Sequence, residues 1–197
     1  MTHEPDRQVY LKLLRLMGIK GTHFTTDDLA RELGTSKRTL YVYFASKEEM
    51  IGKTIDFVFE DMKRSDSEIL ANTDYSPREK IERYFRNIPD SYHIGALLRH
   101  EGDFRRHYPQ LWEKTERRLD AIWDELIELV EQGIASGTLR KVDTAVLRLM
   151  LEQTLFKLLD YEYTARARVS FESGMQAMCD ILLHGLLGTS APVSSLR

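Results

Sequence analysis

Lys37 and Arg38 stand side by side after Ser36, with Thr39 directly behind them. At the start of a helix in a DNA major groove, such cations donate to guanine O6 and N7, and a threonine touches a phosphate or a thymine methyl. Tyr41 and Tyr43 add hydroxyls further along. Lys47 follows Ser46, and Ser46 with Glu49 has the spacing of a capping box. A helix start is expected there, whose free backbone N–H groups would hold a phosphate together with the Lys47 ammonium. Thr26 sits where the neighbouring phosphate would lie. Tyr41 reads as a phosphate contact, and Tyr43 reads equally as a base contact or a packing residue. Leu40 and Phe44 read as core. The plain alternative for Lys37 and Arg38 is a solvated charged face.

Such side chains read DNA only from a rigid frame. Residues 24–51, FTTDDLARELGTSKRTLYVYFASKEEMI, read as helix, tight turn, helix. Two helices crossing steeply need a small residue at the contact, which Ala30 supplies, and a turn residue tolerant of positive φ, which Gly34 supplies. Leu29, Leu33 and Leu40 flank the crossing. Thr25 with Asp28 can cap the first of these helices (26–33), and Ser36 the second (37–44). Ahead of them Val9, Leu13, Leu16 and Met17 mark an amphipathic helix, punctuated by Gly18 and Gly21. Behind them a helix opens at Ser46 and runs towards Lys63. The polar stretch 66–77 marks a boundary. The chain is therefore expected to divide into a helix-turn-helix module at 1–64, a helical body at 65–187 and a small, polar, disordered tail at 188–197.

In the body, helices are expected over 78–92 and 94–107. Leu119, Ile122, Trp123, Leu126, Ile127, Val130 and Ile134 keep one apolar stripe, with Gly133 inside it and Gly137 ending it. Asp143 can cap a further helix that is apolar on more than one face, and a last helix is expected over 171–187. No segment alternates with period two, so the expected fold class is all-α.

Of the 197 residues 42% are hydrophobic, enough for a sizeable core. The net charge is −3, which excludes a polybasic nucleic-acid coat. The charge is uneven: from Arg7 to Lys47 eight basic residues face three acidic ones, a net of +5, so the remainder carries −8. Only the head is expected to meet a polyanion. The single cysteine, Cys179, excludes an intramolecular disulfide, a zinc ribbon and a CxxC site. The opening MTHEPDR holds no apolar signal region, and no run reaches about 18 apolar residues, so a cytoplasmic protein with no membrane contact is expected.

Gly21, Thr25, Thr26, Leu29, Ala30, Gly34, Ser36, Thr39, Leu40, Tyr41, Tyr43, Phe44, Ser46, Lys47, Glu48 and Met50 together match a recurring pattern. On these residues, 9–60 resembles the DNA-binding domain of the TetR family of transcriptional regulators. Two positions depart from it: Arg38, where many members have Gly, and Thr35, where Val or Ile is common. The resemblance implies an all-α homodimer of about nine helices joined through the last two long ones. It also implies an effector pocket in the body, and repression relieved by a small molecule. Double-stranded DNA with a pseudo-palindromic operator is the implied partner.

Other constellations carry weaker chemistry. His93, His100 and His107 recur every seventh residue, and His100, Asp103 and His107 share a helix face with metal-ligand spacing. The arginines Arg99, Arg105 and Arg106 crowd that segment, so exposed histidines are the expectation and no metal or cofactor is assigned. Glu101 beside His100 suggests acid–base chemistry, but no nucleophile accompanies them and no catalytic residue is assigned. Cys179 reads as a small buried hydrophobe. Phe85, Leu97, Leu98, Glu101, Phe104, Trp123, Leu126 and Leu155 are the expected lining of a ligand cavity. Leu147, Leu151 and Leu158, with Phe171, Met175, Met178 and Leu182, are the expected dimer interface. The competing reading is a helical adaptor that binds a protein partner without small-molecule control.

Overall fold

Asp6 opens α1 (Arg7–Lys20) by accepting the Val9 N–H at 3.1 Å, which satisfies an orphan donor of the helix start. Val9, Leu13, Leu14 and Met17 fill its buried face. Gly18 lies inside this helix; Gly21, at φ +58°, closes it, returning its N–H to the Met17 carbonyl. After a 3-10 turn (Gly21–His23), Thr25 and Asp28 exchange capping-box hydrogen bonds and start α2 (Thr26–Leu33). Gly34 ends α2 in the left-handed region, and Ser36 caps α3 (Lys37–Tyr43) by accepting the Thr39 N–H. The computed structural model describes residues 4–87 and 100–187, and all regular elements among them are helical.

Helix α4 (Lys47–Ala71) is the strut between head and body, about 37 Å long at 1.5 Å per residue. It runs past Lys63 because no Gly or Pro interrupts the chain between there and Pro77. The polar boundary expected after residue 66 is thus partly helix. Met50 and Ile51 are buried near its start and Val58 and Met62 further along, so one core continues along the strut.

The body adds α5 (Pro77–Asn87), α6 (Glu101–His107), α7 (Pro109–Asp120), α8 (Asp124–Ala135), α9 (Thr144–Leu159), α10 (Tyr161–Ala167) and α11 (Phe171–Leu187). The remainder of the helices expected over 78–92 and 94–107, with His93, Leu97 and Leu98, lies outside the described residues, as does the tail 188–197. The helix expected to carry one stripe over 119–134 is interrupted by a 3-10 turn, Ala121–Trp123. There the Tyr84 hydroxyl donates to the Ile122 carbonyl. Trp123 is fully buried beside it, with ring centroids 6.4 Å from Tyr84 and 5.6 Å from Phe85. Helix α10 was not expected; Asp160 caps it by accepting the Tyr163 N–H at 3.0 Å. No helix among the described residues is long and apolar enough to cross a membrane.

Three histidines join head to body. His100 Nε2 lies 3.1 Å from the Gly18 carbonyl, and His107 Nδ1 lies 3.1 Å from Thr22 Oγ1. His23 Nε2 pairs with Asp103 at 3.5 Å. His100 and His107 are therefore seam residues, and no group of three or more potential metal ligands gathers among the described residues.

Candidate nucleic-acid interface

Helix α3 is held by its inner face and free on its outer one. Leu40 is fully buried and Phe44, its C-cap, equally so. Lys37, Arg38, Tyr41 and Val42 are exposed, Tyr41 by 54% and Val42 by 48%. Arg38 makes no hydrogen bond or ion pair with the described residues, so its guanidinium is free to meet a ligand. Lys37 is not: its ammonium pairs with Asp27 of α2 at 2.7 Å. Ser36 Oγ and Thr39 Oγ1 lie 3.0 Å apart and serve the helix cap. Tyr43 is half-buried, edge-on to Phe44 with centroids 6.3 Å apart, which makes it a packing residue in this structure.

Lys47 is the first residue of α4, as expected, but its side chain turns inward. Its ammonium donates to the Thr22 carbonyl at 2.6 Å and lies 4.5 Å from the centre of the Phe24 ring. Burial pulls its pKa down, with the Asp28 charge opposing. An ammonium carries three donors, so Lys47 can clasp the 3-10 turn and still face outward. Thr26 is half-buried at the first position of α2. The sequence reading missed Val42 and Asp27. Val42 lies one helical turn beyond Arg38 and so shares its face; Asp27 was counted only as an opposing charge.

The expected cavity residues do not form one cavity. Phe104, Trp123, Leu126 and Leu155 are packed core, at most 2% exposed. Phe85 borders a groove of about 660 Å³ between α5 and α11, together with Cys179. That cysteine is half-buried, and burial pushes its thiol up to about 11. Glu101 borders a different groove, of about 800 Å³, between α6, α7, α9 and α10.

The expected interface residues lie mostly inside the protomer. Leu151, Leu158, Met175, Met178 and Leu182 are buried within the protomer, and Leu147 and Phe171 are packed against its core. The reason is the contact of α9 with α11. A Cβ on Gly174 would meet the Leu158 side chain at 2.2 Å, so the two helices touch closely there. The large apolar side chains that remain exposed on these two helices are Val146, Leu149, Met150 and Phe156 on α9 and Ile181 on α11.

A capped pair of short helices, a left-handed glycine at the turn and an outward cationic face define a helix-turn-helix DNA-binding module on a helical body. Residues 13–53 match the family model of the bacterial regulatory proteins of the tetR family. The uncharacterized HTH-type transcriptional regulator YvaF of Bacillus subtilis (strain 168) is 23% identical over 92% of this chain and 95% of its own. Among solved structures, the TetR-family regulator PfmR of Thermus thermophilus has the same fold, with a TM-score of 0.60 at 23% identity, covering 91% of this chain and 98% of its own. FadR of Bacillus subtilis, solved with stearoyl-CoA, is similar at a TM-score of 0.62 and 17% identity, covering 90% and 97%. Residues 13–53 thus match the DNA-binding domain of that family, and over most of its length the chain is similar to HTH-type transcriptional regulators and has their fold.

Proposed function

We propose that the chain works as a homodimeric repressor, released from a pseudo-palindromic operator by a small-molecule effector. The head, 1–64, reads DNA; the body, 65–187, holds the effector and the second subunit. The observation that carries this reading is the outer face of α3, where Arg38 makes no ion pair with the described residues and Lys37, Tyr41 and Val42 are exposed beside it. Arg38 would donate to a guanine edge, Val42 would meet a thymine methyl, and Thr26, Ser36, Thr39, Tyr41 and Lys47 would hold phosphates. Tyr43 would support the reading helix from behind. Two copies of α3 would enter successive major grooves about 34–36 Å apart. Val146, Leu149, Met150 and Ile181 supply an unpartnered apolar face for the second subunit. The stearoyl-CoA complex of FadR supports ligand control, because a protein of this fold is there solved with a small molecule.

The test is selection of bound duplexes from a random library, with and without candidate ligands. An enriched inverted repeat, lost when a ligand is added, is the expected result. Failure to enrich any repeat would refute the operator reading, and enrichment indifferent to every ligand would refute effector control. Arg38→Ala should cost about 1–3 kcal/mol on the selected operator and much less on random DNA. Equal losses on both, measured by anisotropy at one salt concentration, would reduce Arg38 to a phosphate contact.

A further inference from the structure

The groove between α6, α7, α9 and α10 has an apolar floor and an acidic rim. Trp112, Leu119, Phe156 and Leu159 form the floor, and Phe156 is 39% exposed although it is an aromatic residue of the body. Glu101, Glu116, Asp160 and Glu162 border it, against Arg105 as the single cation among the described lining residues. The Arg105 guanidinium bridges two of these acids, at 2.8 Å from Glu101 and 2.5 Å from Glu116. It also sits 5.5 Å from the centre of the Trp112 ring. An aromatic face under two carboxylates is a cation site, and here its occupant is the chain's own side chain. Glu162 makes no ion pair with the described residues, and Asp160 faces only the exposed Lys157, at 3.5 Å.

We infer that this groove takes an amphipathic organic cation, whose charge displaces the Arg105 guanidinium and whose apolar part lies on Trp112, Phe156, Leu119 and Leu159. Arg105 is 53% exposed, so releasing it into water forfeits little, as for other solvated ion pairs. A volume of about 800 Å³ suits a drug-sized ligand. Four carboxylates against the Arg105 guanidinium and the neighbouring Lys157 ammonium leave a net negative rim that attracts a cation and repels an anion, the more strongly because the floor is apolar. A polyanionic headgroup is disfavoured in this groove for the same reason. The inference names an effector class for the ligand control proposed above. It depends on that reading only for its consequence at DNA.

The test uses the full-length protein and two probes of one shape and opposite charge, tetraphenylphosphonium and tetraphenylborate, titrated by calorimetry. The phosphonium is expected to bind, with the borate weaker by at least about tenfold. Arg105→Ala should tighten phosphonium binding several-fold by emptying the box, and Glu116→Gln should weaken it. Arg105→Gln, with the same expected sign, covers the case in which the alanine variant folds poorly. Equal affinity for both probes, no binding of the phosphonium, or weaker binding by both Arg105 variants overturns the inference. Operator binding is then read separately. If the phosphonium binds but DNA occupancy stays unchanged, the cation site stands and effector control fails. If another compound releases DNA while the phosphonium is ignored, the cation site alone falls.

Discussion

Asp27 and Lys37 face each other across the turn, 2.7 Å apart and both well exposed. A solvated pair of this kind is worth little to stability. In the proposed DNA complex it would matter more, because Asp27 would bring a negative charge close to phosphates and hold a cation off them. Asp27→Asn should therefore tighten binding to every duplex and steepen the plot of log affinity against log salt by about one unit. An unchanged slope in a salt titration would mean that Lys37 meets no phosphate. A second residue, Asp66, governs pH behaviour. It is 4% exposed on α4, and burial pushes its pKa up to about 6; Glu125 adds to the rise and the Asn87 amide, donating at 2.6 Å, opposes it. The folded protein thus binds this proton more tightly than the unfolded chain, whose aspartate titrates near about 3.9. Its contribution to stability is greatest below about 4, declines as pH rises towards 6, and is a full penalty above that. Asp66→Asn keeps an acceptor for Asn87 without the charge. It should raise stability by about 1–2 kcal/mol at about pH 8 and leave it unchanged near pH 4. Urea unfolding at the two pH values checks this; equal effects at both would remove Asp66 from the account.

The elements were legible where their signals are local. Thr25, Ser36, Ser46 and Asp143 all cap the helices expected of them, because a hydroxyl or carboxylate reaches an N–H only two or three residues away. Gly34 is the sharpest case: its φ is +63° and nothing lies within 4 Å of a Cβ placed there. Gly34→Ala should therefore cost about 1–2 kcal/mol from backbone conformation alone, and Gly34→Asn less. A chemical-denaturation series that ranks asparagine below alanine would refute the conformational account. What was not legible depends on partners distant in sequence. The break at Ala121–Trp123 preserves the apolar stripe, so periodicity passes straight through it. The Ile122 carbonyl there accepts from the Tyr84 hydroxyl, which arrives from α5. The inward turn of Lys47 likewise depends on Thr22 and Phe24. Helix α9 is apolar on two sides, and sequence alone chose the side that α11 covers. The side chains left exposed, among them Val146, Leu149 and Met150, are apparent only with α11 in place. The helix-turn-helix frame was legible for the opposite reason: the cap, the turn and the residues proposed to meet DNA lie within one short segment, and Val42 shares their face.

At the scale of the whole molecule, reading two half-sites requires two heads at a fixed separation. The strut α4 ties each head to its body, and the seam of His23, His100 and His107 against Asp103, Thr22 and Gly18 fixes its angle. The bodies must then be joined by a surface that does not already serve the protomer core. Exposed large aliphatic side chains on α9 and α11 meet that condition, and burying a leucine or isoleucine contributes about 1.5–3 kcal/mol. Leu149→Glu with Ile181→Glu should therefore give a monomer that remains folded, because both residues are more than half exposed in the single chain. Each head would still bind DNA through its phosphates, weakly and without regard to sequence. Operator affinity should fall by orders of magnitude, since linking two heads supplies an effective concentration that a lone head lacks. Sedimentation and operator titration on the same sample check both halves. A variant that stays dimeric places the interface elsewhere on the body. A monomer that keeps full operator affinity would show that one head suffices.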